Sequence, residues 1–398
     1  MEEQEIQTSN YCTNNVCKEK TTLVHSGEDY FLRARNIILN AQLVIHIQMY
    51  IFENDATGLD IINALKETAI RNVEIFLLLD GYGSYSFSRL IMKELKQLGI
   101  NIRFFSPFFS GNNFYIGRRL HHKIIVADGT IALIGGLNIS NNYRGTTIGS
   151  TWLDYAVQIE NDETAMQLEQ LCQNIYFKHK RTHRLNLQPV SYLDNETTVT
   201  VLQNDWLKRN DEITIAYVKS IQKAQKEVII VGCYFLPGQR FTKVLKKAAK
   251  RGVTIKLILS GISDIPLMQR ATYHLYSSLL QNNIELYEWD KSVLHGKAAL
   301  VDNKWVTIGS FNLNHLSSYG SIETNVAIES TKFAKTLASD LNAVISQCER
   351  ITLETMKRKN SLFATIANWL SYQFMRTIFI IITYITYNRF LNKYREED

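Results

Sequence analysis

Several marks of secreted, metal-stapled or membrane-spanning proteins are missing from this sequence. Its five cysteines (Cys12, Cys17, Cys172, Cys233 and Cys348) form no framework of paired spacings, and the odd count fits a reducing compartment. Cys12 and Cys17 lack a second pair nearby to complete a metal site, so they read as part of a flexible tail. The opening Met-Glu-Glu-Gln-Glu-Ile-Gln-Thr-Ser-Asn is polar, without a basic start or an apolar middle, and no signal peptide is expected. No membrane-spanning run precedes the tail, so the catalytic part is expected on the cytoplasmic side. His46, His179, His183 and His315 have no partner at metal-ligand spacing, and zinc is not expected.

What is present is ordinary in bulk. At 398 residues, 45% apolar and 21% charged, the chain can bury a large core, enough for two or three domains. A net charge of +6 favours anionic partners, either acidic lipid headgroups or nucleic acid, without choosing between them.

The informative feature is a duplication. His121-His122-Lys123, Asp128 and Gly135-Gly136-Leu137-Asn138 return as His295-Gly296-Lys297, Asp302 and Gly309-Ser310-Phe311-Asn312, 174 positions later. In both copies Lys follows His by two positions, Asp by seven and Asn by seventeen. The His and Lys adjoin an apolar run, Ile124–Ala127 or Ala298–Val301, and alternation on a strand would put both side chains on one face. The glycines would let backbone pass close to whatever His and Lys hold, and Asn adds an amide donor. Two such units facing each other surround one point with two imidazoles and two ammonium groups, a site for an anion such as phosphate. One neutral His can attack phosphorus while the other, protonated, gives its proton to the leaving oxygen. Lysines and asparagines would steady the non-bridging oxygens, and neither a metal nor a cofactor is required. His122 faces away on a strand and reads as structural.

The chain resembles the phospholipase D superfamily, whose signature is this duplicated His-x-Lys-x4-Asp motif, and more narrowly the bacterial cardiolipin synthases. Gln48–Asp55, Leu79–Ser84 and Tyr234–Pro237 support the likeness, which covers roughly residues 28 to 345. It implies that His121 is the nucleophile and His295 the acid. An acid downstream of each motif is expected to hydrogen-bond the histidine and set its tautomer: Glu323 for His295, and Asp154 for His121. Asp128 and Asp302 belong to the motif but stand five residues past the lysines, too far for the same phosphate, and are expected to hold the turn or neighbouring loops. Gly136 and Ser310 mark the phosphate-binding loops, with a hydroxyl on one side only. The implied reaction joins two phosphatidylglycerols into cardiolipin and frees glycerol, through a phosphatidyl-histidine intermediate and with net retention at phosphorus. Phosphatidylglycerol, other anionic phospholipids and the membrane surface are the implied partners, and nucleic acid is not expected. One alternative is a phosphodiesterase of the same superfamily that hydrolyses phospholipids or nucleic acid. The other is a non-catalytic lipid-binding protein.

Along the chain, residues 1–24 read as a flexible lead-in, 25–185 and 186–350 as two similar mixed α/β halves, and 351–398 as a membrane-associating tail. Helices are expected at 28–40, 59–70 and 87–97, with strands at 43–52, 73–79 and 101–105. The second half answers with a strand at 228–236, a helix at 243–250 and Arg251–Leu259, which parallels Arg71–Leu79 at an offset of 180. Alternating elements give an α/β fold, packed as one pseudo-twofold body with the site at the seam and residues 181–200 as the bridge. The loop 106–119 carries Phe108, Phe109, Phe114 and Tyr115, either covering the core or lining a lipid entrance. The basic run 178–184 reads as a solvated face or as a contact with acidic lipid. Residues 360–388 hold a single charge, Arg376, among apolar residues. With Trp369 and tyrosines at headgroup depth, an interfacial helix fits better than a span or a buried helix. A peripheral or monotopic protein on the cytoplasmic face of the cell membrane is the resulting expectation.

Overall fold

The computed structural model describes residues 20–107, 109–110, 113–114, 118–145, 151–160, 162–177, 188–191, 197–205, 208, 210–314, 317–318, 320–359 and 361–395. The first half runs Lys20–His25 (β1), Glu28–Asn40 (α1), Val44–Met49 (β2), Ala56–Ile70 (α2), Glu74–Asp80 (β3), Arg89–Gln97 (α3) and Asn101–Phe105 (β4). α1 turns Tyr30, Phe31, Ala34, Ile37 and Ile38 inward at helical spacing, and Asp55 caps α2 by accepting from the Gly58 N–H. β2, β3 and β4 are parallel, and β3 is buried on both faces after its first residue, as a strand covered by helices must be. A small hairpin, Phe109–Ser110 (β5) with Asn113–Phe114 (β6), leads to Arg119–Leu120 (β7), Lys123–Ala127 (β8), Ile131–Gly135 (β9), Asn141–Arg144 (α4), Tyr155–Glu160 (β10) and Asp162–Tyr176 (α5). The sheet order is β1-β10-β9-β8-β2-β3-β4.

The second half repeats the plan. Val190–Ser191 (β11), Thr198–Asp205 (β12), Asn210–Asp211 (β13) and Glu212–Lys223 (α6) precede Glu227–Gly232 (β14), Gln239–Lys250 (α7), Thr254–Ser260 (β15), Pro266–Leu280 (α8) and Ile284–Trp289 (β16). Lys297–Val301 (β17), Trp305–Gly309 (β18), Ser321–Glu329 (β19), Thr331–Gln347 (α9) and Glu349–Ile351 (β20) complete a sheet ordered β11-β12-β19-β18-β17-β14-β15-β16-β20. Leu353–Lys359 (α10) and Leu362–Arg395 (α11) follow.

The two sheets share one apolar cluster. Ile124, Val126, Ile134 and Val157 of the first meet Ile229, Val231, Ala298 and Ile308 of the second. Two backbone ties cross this seam. β7 pairs in parallel with β19, matching Leu120 to Ile322, and Leu153 bridges Leu294.

The expected α/β halves are present, with differences at their margins. Residues 20–24, expected in the lead-in, form β1, which pairs antiparallel with β10 and so closes the first sheet's edge. Residues 198–200, expected in the bridge, belong to β12, and the strand expected to reach 236 ends at Gly232. The basic run 178–184, Cys12 and Cys17, His179, His183 and His315, and most of the aromatic loop's side chains lie outside the described residues.

Asp128 and Asp302 hold turns, as expected. Asp128 sits at positive φ (54°) between β8 and β9, and Asp302 likewise (52°) between β17 and β18. Asp128 accepts from the backbone N–H of Gln42, Leu43 and Val44, and Asp302 from Gln225, Lys226 and Glu227. Each carboxylate thereby ties its hairpin to the chain entering the central strand. Burial raises the Asp302 carboxyl, but the three N–H donors outweigh it and hold the group below the usual carboxylate range. Asp302→Ala is expected to cost about 2 kcal/mol of stability in urea unfolding, from N–H groups left without an acceptor. Because the folded pKa is depressed, the gap between wild type and variant should be full above the ordinary carboxylate pKa and shrink as pH falls through the folded value. A gap independent of pH would contradict this account.

Candidate active site

Each motif's lysine opens a strand: Lys123 begins β8 and Lys297 begins β17. The histidines are not on those strands. They lie two residues earlier, where the pairing partners β2 and β14 have ended at Met49 and Gly232, so the chain is free to turn into the seam. Each ammonium reaches back to its histidine. Lys123 Nζ donates to the His121 carbonyl at 2.8 Å. Lys297 Nζ donates to the His295 carbonyl and lies 2.8 and 3.1 Å from its ring nitrogens.

The acids are exchanged relative to expectation. Glu323 Oε2 lies 2.8 Å from His121 Nδ1, and Asp154 Oδ2 lies 2.6 Å from His295 Nδ1. The two backbone ties are the cause. β7 in register with β19, continued by the His121 N–H donating to the Ile322 carbonyl, brings residue 121 beside 323. The N–H groups of His295 and Gly296 both donate to the Leu153 carbonyl, which brings residue 295 beside 154. Each histidine is therefore oriented at Nδ1 by the other half's carboxylate.

Gly136 and Ser310 each stand against one of these acids. A Cβ on Gly136 would collide with the Asp154 carboxylate, so only glycine fits there. Ser310 has room, and its hydroxyl donates to Glu323 Oε2 at 2.5 Å. Asn138 Oδ1 accepts from the Ile51 N–H and its Nδ2 donates to Tyr143 Oη, while Asn312 Oδ1 accepts from Cys233 Sγ at 3.0 Å. Asp128 and Asp302 remain at their distant turns. His122 is buried between Gln48 Oε1 (2.9 Å) and Thr324 Oγ1 (2.6 Å), in the structural role expected.

Burial sets the charge state. It lowers His121, against the opposing Glu323 charge, and it lowers His295 well below the usual value, helped by Lys297 and Lys123. Both imidazoles therefore rest neutral. Burial, followed by the Lys297 charge, pushes Lys123 down to about 7. Burial also raises Asp154 to about 7, against Lys297. His121 and Lys123 feel the Lys297 charge, and His295 feels Lys123 and His121, so the two motifs converge on one place. An arriving monoanion supplies the charge that lost hydration withdrew. Among the described residues no group of three or more His, Cys, Asp or Glu is placed to hold a metal.

Sequence reasoning missed the aromatic walls. Tyr50 stands edge-on to His121 (centroids 4.8 Å apart), with Lys123 Nζ 5.1 Å from its ring. Around His295 stand Tyr143 (5.3 Å), Trp152 (5.9 Å) and Tyr234 (6.1 Å), with Tyr143 Oη 3.3 Å from Nδ1. Tyr50 and Tyr234 lie in segments that supported the family likeness. Tyr143 and Trp152 carried no signal beyond lying between Asn138 and Asp154.

The chain matches the family described as "Cardiolipin synthase, PLD-like domain" over residues 35–176 and 217–345. It is 35% identical to cardiolipin synthase B of Shigella flexneri over 369 residues, covering 90% of this chain and 88% of that one, and equally so to that of Escherichia coli K12. Identity to cardiolipin synthase 1 of Staphylococcus aureus COL is 28% over 343 residues, 83% of this chain and 68% of that one. The fold is shared with a phosphatidylserine synthase crystal structure from Haemophilus influenzae Rd KW20 (TM-score 0.71, 14% identity, 91% of this chain and 94% of that one).

The exchanged acids can be read by NMR of the ring nitrogens. Glu323→Gln should shift the His121 signals and lower its titration further, leaving His295 in place, whereas Asp154→Asn should move His295. The reverse pattern would rule out this geometry.

Proposed function

The chain belongs to the cardiolipin synthase, phospholipase D-like family, and from that premise we propose that its site joins two phosphatidylglycerols into cardiolipin through a covalent phosphatidyl-histidine. It is a phosphatidyltransferase of the phospholipase D superfamily. The observation that supports this chemistry best is the pair of histidines converging on one buried place, each held at Nδ1 by an acid from the opposite half.

As the phosphodiester anion binds, His295 takes up a proton at Nε2. In the first step neutral His121 bonds through Nε2 to phosphorus as the phosphorus–glycerol oxygen bond breaks, and His295 gives that proton to the departing oxygen. In the second, a hydroxyl of another phosphatidylglycerol gives its proton to His295, its oxygen bonds to phosphorus, and the bond to His121 breaks. One phosphodiester replaces another, so no nucleotide is needed. Lys123 and Lys297, with the amides of Asn138 and Asn312, steady the non-bridging oxygens. Burial of both lysines and His295 keeps the intermediate from water, which favours transfer over hydrolysis.

The tail supports a membrane-surface reading. α11 lays Met375 and Phe379 on Met268 and Ala271 of α8, while Phe363, Ile366, Leu370 and Phe374 line the opposite side and stay exposed, Phe363 at 85%. Among the described residues no helix is long and apolar enough to cross a membrane. A helix bare on one apolar side fits a bilayer surface, with acidic headgroups drawn by the net charge of +6. Free thiols at Cys172, Cys233 and Cys348 fit the cytoplasmic face.

Two measurements test this. His295→Ala should lose about 10²–10⁴-fold with phosphatidylglycerol, yet recover the single-turnover release of p-nitrophenolate from a phosphatidyl p-nitrophenyl ester, whose leaving oxygen departs without a proton. His121→Ala should stay inactive with both, and equal losses in both variants would sink this division of roles. Separately, replacing Phe363, Leu370 and Phe374 together by Gln should weaken binding to phosphatidylglycerol vesicles at least about tenfold, given about 1.5–3 kcal/mol per buried apolar side chain. Unchanged vesicle binding would remove the tail from the membrane contact.

A further inference from the structure

One carboxylate on the His295 side has no part in the steps above. Asp264 is exposed in the loop between β15 and α8, and Tyr234 Oη donates to it, 2.7 Å from either carboxylate oxygen. The Tyr234 ring stands edge-on to His295, and the Asp264 charge is felt at both His295 and Tyr143. Asp264 therefore borders the reacting centre.

The first half has no counterpart. The position 180 residues earlier is Ser84, which is buried, its hydroxyl donating to the Tyr50 carbonyl. The acid there is Asp80, fully buried and accepting from the N–H groups of Tyr82, Gly83 and Leu120. In the second half Ser260 stands at that place, donating inward to carbonyls. So the His121 side is closed by an inward acid, while the His295 side carries an outward one.

A carboxylate at the mouth of a phosphate site repels the phosphate, so its partner must be a hydrogen-bond donor on the rest of the headgroup. We propose that Asp264, positioned by Tyr234, accepts a hydrogen bond from the hydroxyl vicinal to the reacting oxygen of a glycerol headgroup, and so selects a diol. This rests on His295 serving both the departing and the entering oxygen, since both then pass the same wall. A site built to bond a hydroxyl discriminates strongly against the analogue that lacks it.

The test uses the full chain, phosphatidylglycerol vesicles as donor, and three soluble acceptors: 1,2-propanediol, 1-propanol and 2-aminoethanol. The products are the corresponding phosphatidyl alcohols. Wild type should prefer the diol to 1-propanol by about tenfold or more, and Asp264→Ala should bring that ratio to about one. If thermal unfolding shows Asp264→Ala to be misfolded, Asp264→Leu, which likewise offers no acceptor, carries the same comparison. An unchanged ratio in the variant, or no diol preference in wild type, overturns the proposal. A preference for 2-aminoethanol that the substitution abolishes assigns the wall to an ammonium headgroup and overturns the diol. Wild type that cleaves the donor but forms neither a phosphatidyl alcohol nor cardiolipin refutes the transferase reading itself, and the proposal falls with it; cardiolipin without phosphatidyl diol overturns the proposal alone.

Discussion

Two buried ammonium groups need two buried carboxylates, and each half of this molecule holds the acid that orients the other's histidine. Lys123 and Lys297 are among the largest fully buried side chains, and Asp154 and Glu323 are fully enclosed. A charge removed from water without compensation costs several kcal/mol. The four charges are tolerable only as a set, and the set exists only when the seam is closed. The apolar cluster around the seam keeps the local dielectric low, which strengthens each hydrogen bond to the imidazoles. Closure of the fold and assembly of the site are thus one event.

The pseudo-twofold symmetry is broken around the two histidines, to which the proposed chemistry gives different work. Tyr50 walls His121, while its counterpart by strand register, Cys233, turns instead to Asn312. Three aromatic rings surround His295, two of them supplied by the first half. Gly136 against Ser310 is part of the same divergence. Asp154 fills the space a side chain would need, whereas Glu323 leaves room for a hydroxyl that donates to it. A site attacked from one side and vacated from the other has no use for two identical walls.

The repeat, the α/β alternation and the turn-holding role of Asp128 and Asp302 were legible because they are local. Spacing reports what happens within one hairpin or one strand–helix unit. The two acids were legible as candidates, but their partners were not. That assignment depends on β7 pairing with β19 and on Leu153 meeting Leu294, contacts about two hundred and about one hundred and forty residues apart in sequence. No local period encodes such a register. The neighbour of Gly136 is hidden for a related reason: a glycine offers space without naming its occupant, and here the occupant is the Asp154 carboxylate. The strand ahead of α1 was missed because β1 is a short edge strand whose identity comes from β10.

The tail shows what periodicity does and does not convey. α11 is apolar on two opposite sides, which nearly cancels its amphipathic signature. Only its docking on α8 tells the sides apart: Asn368, Ser371, Met375 and Phe379 face the protein, and the stripe from Phe363 to Phe374 does not. That docking also joins the tail to the chemistry. The same cluster includes Leu236 and touches Tyr234, whose ring reaches His295, and α8 begins two residues after Asp264. Exposed Ile262 and Ile265 flank that aspartate. With α11 on a bilayer, the apolar residues beside Asp264 would meet the same surface, and the carboxylate would stand at headgroup depth beside the acid histidine. On this proposal, lipid docking and headgroup selection would act through the same pair of packed helices.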